Sequence, residues 1–176
     1  MQHTRVYLLG FMGGGKTYTG RRLATRLDYA FTDLDALIVQ RERRSIPDIF
    51  AQSGEEVFRQ IEREALEATQ YLEEMVISCG GGTPCFFENM DWINRHGLSV
   101  YLHTHPHLLH QRLRRGQDRR PLIKGMNDYQ LQEFIAWKVK ERTPFYQQAV
   151  VEVHQQSDDE DMAALIHQHL LDITGH

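Results

Sequence analysis

Cysteine is nearly missing from this sequence. Cys79 and Cys85 are the only two, too few for a disulfide framework and without the second pair a zinc site needs, so both read as reduced thiols. No apolar run approaches the roughly 20 residues that cross a bilayer, which excludes a helical membrane protein. The opening stretch, MQHTRVYLLG, is too short in apolar residues for an export leader and leads straight into glycines. It reads as a first strand, and the chain as cytoplasmic. Neither charge dominates: 20 basic residues stand against 24 acidic ones, a net charge of −4. That balance is too acidic for a general nucleic-acid binder, whose affinity comes from neutralising phosphates, so any polyanion site must be local. Repeats, low-complexity runs and Pro/Gly/Ser linkers are also missing, and 176 residues fit a single domain that folds without a disulfide or metal staple.

What the sequence does contain is an alternation of short β-rich apolar runs with longer helical patterns, the mark of a parallel sheet covered by helices on both faces. An α/β fold of three layers is expected, with strands near Val6 to Leu9, Ala30 to Leu34, Val76 to Cys79, Ser99 to Leu102 and Val150 to Val153. Ser53 and Glu56 have the spacing of a capping box and predict a helix start at Ser53. Pro106 suits another helix start, and Asn127 or Asp128 a third. From Arg112 to Met126 the chain carries Arg112, Arg114, Arg115, Arg119, Arg120 and Lys124 against a single acid, Asp118, broken by Gly116, Pro121 and Gly125. This stretch is expected to be a mobile excursion outside the core.

The segment Gly10-Phe11-Met12-Gly13-Gly14-Gly15-Lys16-Thr17 matches G-x-x-x-x-G-K-[ST] between a strand and a helix, the context in which that motif binds phosphate. Gly13, Gly14 and Gly15 let backbone N–H groups turn inward around the phosphates, Lys16 reaches the β and γ groups, and Thr17 offers its hydroxyl to Mg²⁺. There is no N-K-x-D guanine-reading sequence, and the strand ending at Cys79 leads into glycine instead of the acid with which motor ATPases activate water. A phosphotransferase acting on a small acceptor remains.

Asp33 and Asp35 fall at the C-terminal end of the second strand, where two residues on alternate positions face the same side. They can hold the Mg²⁺ shell and accept a hydroxyl proton, or serve as loop-capping acids. Arg59 and Glu62 lie three apart on one helix face, which by itself describes a surface ion pair as well as a binding pair. Gly80, Gly81 and Gly82 in succession favour a close backbone approach to a ligand. Arg142 precedes Pro144, which places it at a helix end before a proline turn. Two arginines suit a carboxylate, while Asp35 and Glu62 suit hydroxyls, so the acceptor is a small hydroxylated acid. The histidines His103, His105, His107 and His110 have no standard metal-ligand spacing and read as solvated surface.

In order along the chain, GFMGGGKT, Asp33-Leu34-Asp35, Phe58-Arg59 with Glu62, Gly80 to Gly82, Arg120-Pro121-Leu122, and Arg142 ahead of Pro144 and Tyr146 resemble the shikimate kinases, P-loop enzymes of the nucleoside-monophosphate-kinase-like branch. The resemblance covers Gly10 to Tyr146. It implies a five-stranded parallel sheet of order 2-3-1-4-5, ATP and shikimate as substrates, Mg²⁺ as cofactor, no nucleic-acid or membrane partner, and a monomer. By the same resemblance Lys16, Asp35 and Arg120 are catalytic, and Gly13, Gly14, Gly15, Lys16, Thr17, Tyr18 and Arg120 bind the nucleotide. Asp35, Arg59, Glu62, Gly81, Gly82 and Arg142 bind the acceptor, while Thr17 and Asp33 serve the metal. Residues 112–126 correspond to a lid, with Arg114 or Arg115 flanking adenine, and residues 35–65 to the acceptor-binding helical region. Gly14 stands where the family has a side chain, which predicts a slightly looser loop. Gluconate kinases and silent nucleotide-binding regulators are the alternatives.

Overall fold

The structure, a computed structural model, describes residues 4–174; residues 1–3 of the opening stretch lie outside them. Five strands, β1 (Arg5–Leu9), β2 (Ala30–Asp33), β3 (Met75–Ser78), β4 (Leu98–Thr104) and β5 (Val151–Gln155), pair in parallel in the order β2-β3-β1-β4-β5. Around them run α1 (Lys16–Leu27), α2 (Leu34–Glu42), α3 (Ile46–Ala68), α4 (Asn89–His96), α5 (Pro106–Arg115), α6 (Asp128–Tyr146) and α7 (Met162–Thr174).

Strand alternation divides the core in two. Tyr7, Leu9, Ile77 and Tyr101 point to one face, packing with Leu34, Ile38, Phe58, Ile61 and Ile93 from α2, α3 and α4. Val6, Leu8, Val76, Val100 and Leu102 point to the other, against Leu23 and Ala24 of α1 and Met162, Ala163 and Ile166 of α7. Both faces of β1 are therefore apolar, as a sheet covered on both sides requires. Each fully buried Leu or Ile here contributes about 1.5 to 3 kcal/mol relative to exposure. Because β1 lies between β3 and β4, the loops that follow β1, β2 and β3 gather at one edge of the sheet, at its switch point.

Four sequence expectations change. The helix does not begin at Ser53: α3 is capped by Ser45, whose hydroxyl accepts from the Asp48 N–H at 3.2 Å, and it breaks at Gly54, where φ of 80° and ψ of 174° suit only glycine. The Ser53 hydroxyl instead accepts from Arg44. Asp35 is not on β2; the strand ends at Asp33, whose carboxylate accepts from the Asp35 N–H at 3.0 Å and starts α2. Arg142 does not close its helix, because Pro144 lies inside α6, which continues to Tyr146. The basic stretch is not wholly outside the core: Arg112 to Arg115 belong to α5, and Leu113 and Ile123 are fully buried with Phe11, Leu109, Leu131 and Ile135. Asn127 does cap α6, in a capping box with Gln130.

Candidate active site

The loop from Gly10 to Gly15 turns through positive φ at Gly10, Gly13 and Gly15 and delivers Lys16 to the first turn of α1. The Lys16 ammonium donates to the Gly10 and Phe11 carbonyls at 2.8 and 3.0 Å, and burial lowers its pKa to about 8. Gly14 is held in the loop on both sides. Its N–H donates to Phe11, its carbonyl accepts from the Thr104 hydroxyl, and a methyl there would lie 2.9 Å from the Phe11 carbonyl oxygen. The Thr17 hydroxyl donates to Asp33 at 3.2 Å, which places two hard oxygen donors side by side.

Lys16, Thr17, Tyr18, Asp33, Asp35, Gly80, Gly81, Arg112 and Arg120 line one cavity of about 470 Å³. Burial, reinforced by the negative charges of Asp33 and Glu62, raises the Asp35 carboxyl to about 6. Arg120 donates to the Gly116 carbonyl while it faces this cavity.

The glycine run is where the acceptor residues meet. A methyl on Gly80 would come within 3.0 Å of Glu62 and 3.5 Å of Asp35; on Gly81, within 3.1 Å of Arg142; on Gly82, within 2.8 Å of Arg59. Side chains from α2, α3 and α6 thus converge on three consecutive positions where an added Cβ would crowd their polar ends. Glu62, 1% exposed, accepts from Arg59 at 2.8 Å with one oxygen and from the Thr83 hydroxyl at 2.7 Å with the other. Arg59 also lies 4.0 Å from the Phe86 ring centre, and Arg142 5.5 Å from that of Phe11.

These contacts decide between the open readings of the sequence. Glu62 is buried and Arg59 partly buried against the glycine run, so the two do not form an ion pair on an open helix surface. Asp33 is a capping acid and a cavity residue at once.

A family model described as shikimate kinase matches residues 12–171. The chain belongs to the shikimate kinase family. It is 42% identical over 145 residues to a shikimate kinase of Bacteroides thetaiotaomicron, covering 82% of this chain and 83% of that one. Among solved structures it resembles a Bacteroides thetaiotaomicron shikimate kinase with a TM-score of 0.89 and 37% identity, covering 98% of this chain and 99% of that one. It also resembles the Acinetobacter baumannii shikimate kinase in complex with shikimate, with a TM-score of 0.85, 30% identity and coverage of 99% and 94%. The sheet order expected from the resemblance to shikimate kinases is the one observed.

Sequence reasoning missed several contributors to this shikimate kinase site. Thr83, fully buried, fixes Glu62, and its position three residues after Gly80 was the available signal. The Tyr146 hydroxyl donates to the Gly81 carbonyl at 2.5 Å and so ties α6 to the glycine run. A second cavity, of about 340 Å³, lies beside the phosphate loop between α1 and the turn after β5, lined by Tyr18, Arg22, Arg112, Gln155, Asp158 and Met162 among others. Arg112 holds its wall, donating to the Gly13 carbonyl and to Asp158. Neither Arg114 nor Arg115 lines that cavity, and Arg114 pairs with Asp128 instead. Burial pushes the Cys79 thiol far up and that of Cys85 to about 11, which keeps both in the thiol form at neutral pH. Among the described residues no helix is long and apolar enough to cross a membrane.

Proposed function

We propose that the chain transfers the γ-phosphoryl group of ATP to the 3-hydroxyl of shikimate, releasing ADP and shikimate 3-phosphate. The observation that carries this reading is the convergence of Asp35, Glu62, Arg59 and Arg142 on Gly80 to Gly82, at the wall of the cavity that holds Lys16. A carboxylate suits the two guanidinium groups, and hydroxyls suit the acids between them. The ATP phosphates lie along Gly13, Gly14, Gly15 and Lys16, with Tyr18 beside them, and the base extends into the second cavity.

Asp35 accepts the proton of the attacking hydroxyl as its oxygen bonds to the γ phosphorus and the bond to the bridging oxygen of ADP breaks. Its raised pKa brings it near the working range of a base. Lys16 and Arg120 take up charge on the transferring group, so catalysis is mainly positioning and electrostatics. Thr17 and Asp33 fit Mg²⁺ by donor chemistry, and the ion when bound screens the phosphate charge. Residues 112–126 serve as the lid, rooted by Leu113 and carrying Arg120, and residues 35–65 as the acceptor-binding region; closure excludes water and suppresses ATP hydrolysis. The chain works as a monomer.

A coupled ADP-release assay with shikimate and gluconate in parallel tests the reading. Saturable ADP release with shikimate and none above background with gluconate is expected. Release with gluconate alone overturns the acceptor, and release with neither overturns the enzyme.

A further inference from the structure

The histidine-rich region contains a second constellation of donors, on strands remote in sequence from the phosphate loop. His103 on β4 and His154 on β5 are register partners, and Glu152 lies two residues before His154 on the same strand. Alternation along a strand places all three side chains on one face of the sheet. His103 Nδ1 lies 2.8 Å from Glu152 Oε1, and His154 Nε2 lies 3.2 Å from the same oxygen. One ligand-type atom from each residue falls within 4.8 Å of the others. The imidazole of His103 stacks on Tyr101 at 5.2 Å, which fixes its plane, and its ring centre is 4.5 Å from that of His154.

We infer that His103, Glu152 and His154 form a binding site for a first-row divalent cation, of which Zn²⁺ is the best fit. Donors around tetrahedral Zn²⁺ at about 2.1 Å are roughly 3.4 Å apart, so the two observed nitrogen–oxygen separations need to widen by only tenths of an ångström. Two imidazole nitrogens and one carboxylate select Zn²⁺, Co²⁺ or Ni²⁺ over Mg²⁺, which takes oxygen ligands. His103 and Glu152 are about one-third exposed, at 34% and 32%, and His154 is 55% exposed, so the fourth position opens to solvent. Of the three, none lines the cavity at Lys16, and the site is independent of the phosphate chemistry. The bound ion stitches the edge strand β5 to β4 just before Gln155, whose side chain accepts from Arg112 at the wall of the second cavity. It therefore acts as a structural clamp on the strand that leads into that cavity.

Equilibrium dialysis of the full chain against Zn²⁺, in saturating Mg²⁺, is the test. One Zn²⁺ per chain is expected in the native protein. His154→Ala and Glu152→Gln, each shown folded by circular dichroism, are both expected to bind at least about tenfold more weakly. No retained Zn²⁺, or a loss below tenfold in either variant, overturns the site. The exposure of His154 keeps its variant clear of the core, and Glu152→Gln preserves side-chain volume, so the fold survives in at least one arm.

Discussion

Replacing Asp35 by Asn should separate stability from catalysis. The native carboxyl titrates at about 6 against an ordinary 3.8, because burial and then its neighbours Asp33 and Glu62 disfavour the charge. A folded-state pKa above the unfolded value means the folded chain holds that proton more tightly. Stability is therefore fullest below about pH 4, falls as pH rises through 6, and is level beyond. At about 1.4 kcal/mol per unit, the charge costs about 3 kcal/mol at pH 8 and about half that at pH 5. The carboxylate faces the cavity, and solvent screening reduces the figure at pH 8 to about 2 kcal/mol. Asp35→Asn removes the charge, so the variant should be more stable than the native chain by about 2 kcal/mol at pH 8 and about 1 kcal/mol at pH 5, with turnover almost abolished. Urea unfolding at the two pH values, with slopes compared to confirm the same exposed surface, measures the difference. A variant no more stable than the native chain at pH 8, or one whose advantage does not change with pH, would refute the argument.

Arg120→Ala should lower turnover by about 10³ while both substrate KM values move only a few-fold, since the guanidinium acts on charge that develops in the transition state; steady-state kinetics showing near-normal turnover would remove it from the mechanism. Gly82→Ala places a methyl 2.8 Å from the Arg59 guanidinium and should raise the KM for shikimate while leaving that for ATP unchanged, an effect checked by saturation curves for each substrate. Arg59→Ala should raise the shikimate KM further, about ten- to a hundredfold, and also lower the melting temperature, because Glu62 at 1% exposure loses its cationic partner. In the free enzyme, kcat/KM for ATP should rise through pH 6 as Asp35 ionises and fall above pH 8 as Lys16 loses its proton. At saturating ATP the alkaline limb should shift upward, since bound phosphates favour the charged lysine; an unshifted limb would assign it to another group.

The phosphate loop was legible because its function depends on residues adjacent in the chain. Gly10 to Thr17 must follow a strand and open a helix, and both requirements are local. The strands were legible for a related reason: a sheet buried on both faces needs continuous apolar runs, and all five lie within one or two residues of their expected bounds. The start of α3 is not legible locally, because Ser53 and Glu56 satisfy a spacing rule that the positive φ of Gly54 overrides. Pro144 predicts a stop, yet it lies within the last turn of α6, which continues to Tyr146, itself hydrogen-bonded to the Gly81 carbonyl.

The nucleotide loop, the alternation of strands and helices, and the residue types available to an acceptor follow from residues close together in the chain. How they meet depends on the folded chain. Glu62 takes Thr83 from 21 residues away, Tyr146 takes Gly81 from 65, and Arg112 takes Gly13 from 99. His103 meets Glu152 across 49 residues through the register of two parallel strands. Spacing along a chain constrains only neighbours within a turn or a strand, whereas contacts of this range exist only after strand order and register have fixed which ends of the sheet share an edge.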